Sequence, residues 1–120
     1  MIIYPISEVI DRISICKIKS EMTNEESCKE ELKYLMDGLK TYNFSESEAY
    51  IKKLYDINLK MWNMESDIRK CLDEKLGLEE IGRRAILIRE NNKIRVSLKT
   101  EIIKKTNMGF VDIKINHISD

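Results

Sequence analysis

Residues 45–75 read SESEAYIKKLYDINLKMWNMESDIRKCLDEK, a run without proline or glycine that stops before Gly77. At 100° per residue from Asn58, the residues Ile51, Leu54, Tyr55, Met61, Trp62, Glu65, Arg69 and Leu72 fall within about 60°. Lys52, Asp56, Lys60, Asn63, Asp67, Lys70 and Glu74 lie opposite. That is the period of an amphipathic helix. Ser45-Glu46-Ser47-Glu48 reads as its capping box, in which a hydroxyl and a carboxylate satisfy each other's backbone donors. Thirty residues at 1.5 Å each span ~45 Å, which is long for a small domain and predicts one arm of a hairpin.

The other arm is expected from about Leu78 to Lys105, ending near Asn107 and Gly109. Its apolar and intruding polar residues cover more than half the circumference, and Ile86 points away from even that face. A helix so broadly apolar is sandwiched between neighbours, a second subunit among them. Two shorter helices precede the hairpin. The first is expected from about Ser7, as N-cap after Pro5, to Met22. The second opens on a capping box from Thr23 to Glu26 and carries the stripe Cys28, Leu32, Leu35, Met36 and Leu39 up to the turn Tyr42-Asn43-Phe44. At the ends, Val111, Ile113 and Ile115 alternate with polar residues, and Ile2-Ile3-Tyr4 is the other strand-like run. A lone strand leaves its backbone unpaired, so the termini are expected to pair, within a protomer or across a dimer.

Composition bounds the function. The chain has 120 residues, enough for one domain spanning residues 1–120 with a modest core. Charged residues make up 35%, but Lys+Arg and Asp+Glu balance at 21 each, so no global basic field points to nucleic acid or a membrane surface. The opening is too short and uncharged for a secretory signal, and no apolar run reaches membrane-spanning length; a cytoplasmic protein is expected. Cys16, Cys28 and Cys71 have no metal-ligand spacing, and His117 is the only histidine, so no metal or cofactor is expected. Phosphate-loop, dinucleotide, nucleophile-elbow and zinc-protease motifs are all missing, which favours a non-enzyme. Among Glu65, Asp73, Glu79 and Glu80, only Glu65 falls near the centre of an interior face, too few acids for a magnesium site.

The oddity lies on the midlines of the hairpin's apolar faces. Asn58, Glu65 and Arg69 occupy the first, and Arg84, Asn91, Asn92, Arg95 and Lys99 sit among Ile81, Ile88, Leu98 and Ile102 on the second. Lys17 and Glu21 join them from the Ile10–Ile13 face of the first helix. Unpaired burial of such groups is costly, so they meet one another or a ligand. One reading is a buried salt-bridge network, Glu65 with Arg95 or Arg69, that sets helix register. The other is a pocket whose surplus cations hold an anion, with the Asn amides reading a polar edge and Trp62 or Tyr55 stacking on a ring. Arg83, Arg89 and Lys93 are read as a solvated outer face.

The run from Pro5 to Glu21, PISEVIDRISICKIKSE, resembles the opening of the small proteins of domain-of-unknown-function family 6165. Two further blocks fit: Asn58, Trp62, Glu65, Ile68 and Arg69 in the middle, then Asn92, Arg95, Leu98, Lys99, Glu101 and Ile102. Lys17 departs from that pattern, standing where the family has an acid, and the tail from Gly109 to Asp120 is unlike the family's ending. The resemblance implies a fold and a place of interest and brings no activity. Together these readings predict an all-α, bundle-like protein: a long antiparallel helical hairpin with two shorter helices packed on it, assembled as a dimer or higher. The expected function is non-catalytic binding of a small anionic ligand, nucleotide-like or a phosphosugar, through Asn58, Trp62, Glu65, Arg69, Arg84, Asn91, Asn92, Arg95, Lys99 and Lys17. The alternative is an adaptor acting through helical oligomerisation.

Overall fold

Pro5 stands at the head of the first helix. Its φ of −58° is already that of a helix start, and its carbonyl accepts the N–H groups of Glu8 (3.0 Å) and Val9 (3.3 Å). The computed structural model describes residues 4–75 and 77–108, the side chains of 67–75 excepted. Within them lie α1 (Ile6–Thr23), α2 (Glu26–Leu39), α3 (Ser47–Lys75) and α4 (Gly77–Thr106). The protein is all-α, as the periodicity predicts. There is no strand among the described residues; the expected strand over 111–115 and most of Ile2-Ile3-Tyr4 lie outside them.

The caps differ from expectation. Ser7 is buried inside the first turn of α1 and does not cap it. Thr23 closes α1, donating its hydroxyl to the Lys19 carbonyl (2.7 Å) while accepting the Glu25 N–H (3.3 Å). Asn24, left-handed at φ 55°, turns the chain, as its short polar side chain allows. Ser47, not Ser45, starts α3, with its hydroxyl on the Phe44 carbonyl (2.8 Å). Gly77 at φ 75° makes the reversal into α4, a conformation that a Cβ would strain.

α3 and α4 form the antiparallel hairpin. Its open end is fastened by the Tyr50 hydroxyl on Glu101 Oε1 (3.1 Å) and by Lys105 Nζ on Glu46 Oε1 (2.8 Å). α1 lies across the hairpin and touches both arms. Ile6, Ile10 and Ile13 from α1, Leu39 from the end of α2, Tyr50, Ile51, Leu54, Ile57 and Met61 from α3, and Leu98 and Ile102 from α4 make the core. α2 packs on α1 alone, through the partly buried stripe Leu32, Leu35 and Met36. Only one of the two short helices therefore rests on the hairpin. No described helix is long and apolar enough to cross a membrane.

Candidate functional site

Where α1 crosses the hairpin, a carboxylate rather than a surplus cation sits at the centre. Asp11, 3% exposed, takes the Arg95 guanidinium as a fork: Nε on Oδ1 (3.0 Å) and Nη2 on Oδ2 (2.5 Å). Two parallel charged hydrogen bonds are among the strongest polar contacts a side chain makes, and they raise the Arg95 pKa above its ordinary value. Lys99 Nζ stands 3.8 Å from the second oxygen and pairs with Glu8 at 2.8 Å. The Asn58 amide donates both to Asp11 Oδ1 (3.1 Å) and to Ser14 Oγ (2.8 Å), while the Ser14 hydroxyl donates to the Asp11 carbonyl (2.6 Å). Two acids thus meet two bases, and one lock ties α1 to both arms. The interior carries no excess positive charge at this point, contrary to the sequence-based expectation.

Beside the lock lies an open groove of about 430 Å³, walled by all three helices. Ile15 and Ile18 come from α1, Met61, Trp62 and Glu65 from α3, and Ala85, Ile88, Arg89 and Asn92 from α4; Asn58 and Arg95 separate groove from lock. Its volume falls in the lower part of the roughly 300–1,000 Å³ range of small-molecule sites. Among the described residues, the Glu65 carboxylate, the Arg89 guanidinium, the Asn92 amide and the Trp62 ring make no hydrogen bond, ion pair or ring contact. These polar groups line an otherwise apolar trough and are uncommitted.

The expected cluster is therefore split. Asn58, Arg95 and Lys99 belong to the lock; Trp62, Glu65 and Asn92 belong to the groove, with Glu65 exposed rather than interior. Arg84 bonds Glu80 on its own helix (3.0 Å), and Asn91 is half-buried without lining the groove. Lys17 faces a different open depression of about 810 Å³ beside Glu21 and Tyr55, whose hydroxyl donates to Glu21 (2.6 Å). The Arg69 side chain lies outside the described residues. Sequence reasoning missed Asp11, Ser14 and Glu8, and it assigned Arg89 to the solvated face. The signal for the first two was present: Ser7, Asp11, Ser14 and Ile18, spaced by four, three and four, form one stripe, and all are buried.

A second polar link joins α1 to α2. The buried Cys16 thiol donates to Glu31 Oε1 (2.9 Å), whose other oxygen holds Arg12 (3.1 Å). Burial, then the Glu31 carboxylate, pushes the thiol up to about 12, and the same thiol and Arg12 hold Glu31 below the ordinary carboxyl range. Among the described residues no cluster of His, Cys, Asp and Glu could hold a metal ion. No family model matches the chain, and neither a curated protein nor a solved structure matches it.

Proposed function

We propose that this protein is a non-catalytic binding module that takes a small ligand with an anionic group into the groove between α1 and the hairpin. The observation that carries the reading is a division of labour. Arg95 and Lys99 are spent on Asp11 and Glu8, whereas Trp62, Arg89 and Asn92 line a solvent-open trough with nothing to bind. Rigid walls and uncommitted polar groups are what a preorganised site requires. The three blocks resembling family 6165 fall on α1, α3 and α4, the helices that enclose the trough. In this reading Arg89 takes the anion, replacing Arg84, Arg95 and Lys99 in the role expected from sequence.

Trp62 is the chain's single tryptophan, so its fluorescence reports on the groove. A panel of carboxylates, sugar phosphates and nucleotides, titrated alongside thermal melts, tests the proposal. At least one is expected to give a saturable change and a raised Tm, both lost in Arg89→Gln. No response to any of them at millimolar concentration overturns it.

A second reading, an adaptor that works through helical self-association, rests on another observation. On the flank of the hairpin away from α1, Leu87 and Ile94 remain 38% and 46% exposed, seven residues apart on α4.

A further inference from the structure

Glu65 and Arg89 stand on facing arms of the hairpin. Its fastenings pair Glu46 with Lys105 and Tyr50 with Glu101, and Asp11 draws Asn58 level with Arg95. Continuing that register brings Glu65 opposite the turn of α4 from Ile86 to Arg89. The two charges line one groove yet do not close to salt-bridge distance on each other, and no other described residue neutralises either. The same groove is lined by the apolar side chains of Ile18, Met61 and Ile88.

We infer that the groove is built for an amphiphilic zwitterion, with an ammonium for Glu65, a carboxylate for Arg89 and an apolar body lying along Ile18, Met61 and Ile88 beside Trp62. The inference rests on the groove reading above and narrows it. A ligand that is only anionic gains Arg89 but brings its charge near Glu65; one that is only cationic has the reverse problem. A zwitterion satisfies both ends, and its apolar body covers the apolar side chains that polar sugars and phosphates leave unsatisfied. An α-amino acid with a large apolar side chain is the simplest member of this class.

The probes are phenylalanine, N-acetylphenylalanine, which lacks the ammonium, and phenethylamine, which lacks the carboxylate. Each is titrated against Trp62 fluorescence of the full chain. Phenylalanine is expected to bind at least roughly tenfold more tightly than either analogue, a difference of about 1.4 kcal/mol. Glu65→Gln should erase its advantage over the acetylated form, and Arg89→Gln its advantage over the amine. Both substitutions sit at exposed helical positions outside the core, and a circular dichroism melt checks that each variant folds. Equal binding of phenylalanine and N-acetylphenylalanine sinks the zwitterion and leaves the anion site standing. Silence from all three probes and from the anion panel sinks both.

Discussion

Asp11 takes the place that the sequence-based reading gives to a ligand. Its carboxylate accepts from Asn58 and Arg95 and lies within 4 Å of Lys99, so removing it strands a half-buried guanidinium, while Lys99 keeps its closer partner Glu8. Breaking one side of a buried pair costs more than the pair itself contributes, because the remaining charge stays desolvated. Asp11→Ala is therefore expected to destabilise the fold by about 3 kcal/mol in urea denaturation. Arg95→Ala should cost less on the Asp11→Ala background than alone, giving a coupling of about 1–3 kcal/mol in the double-mutant cycle. Additive losses would show that the lock is decorative. The cations were legible in sequence because they interrupt long apolar faces. Their partner was not: on the short α1, Asp11 sits beside Arg12 and near Glu8, and a charged residue in such company reads as surface.

Element by element, the period of 3.6 gave four helices with ends close to those observed, since apolar stripes outlast local detail. Caps were less legible, because a hydroxyl beside a helix end can finish one helix or begin the next, and Thr23 finishes α1. Nor could periodicity tell which helix α2 would pack against. Its packing on α1 alone makes it the least anchored element, held by the buried Leu39 at its end, a partly buried stripe and the Cys16–Glu31–Arg12 link. That link responds to pH at both ends. Glu31 is held low, so its contribution is present above the ordinary carboxyl pKa and fades as pH falls through its folded value. Cys16 is held high, so its contribution is full below the free thiol's value near ~8.5 and is lost as pH rises toward about 12. Hydrogen exchange at neutral pH should show α2 amides opening before those of 50–61 in α3, and Glu31→Ala should speed α2 selectively. Uniform protection across α2 and α3 would contradict this packing.

At the scale of the whole molecule, α1 covers one side of the hairpin, and no described element covers the other. α1 occupies the side of Ile51, Asn58 and Trp62; the other flank presents Leu87 and Ile94 on α4 alongside Glu90, Lys93 and Glu101, with Lys53 and Lys60 along α3. The fastened register sets Lys53 near the height of Glu101 and Lys60 near that of Glu90. Two hairpins stacked on this flank, about a two-fold axis running along the helices, bring α3 of each over α4 of the other. Lys53 and Lys60 of each copy then come to the height of Glu101 and Glu90 of the other, where Glu90 already holds Lys93 of its own helix at 3.7 Å, and the exposed Leu87 and Ile94 lie within the contact. A second copy of the chain is the occupant that the adaptor reading proposes for this surface. Sedimentation equilibrium should give a dimer whose dissociation constant rises with salt, as screening weakens the attraction between these charges. Ile94→Glu should yield a monomer with an unchanged melting curve at low concentration, because a side chain already half exposed contributes little to the protomer's own core. A wild-type chain that stays monomeric at high micromolar concentration would leave that flank as ordinary surface and remove the adaptor reading, without touching the groove on the opposite side.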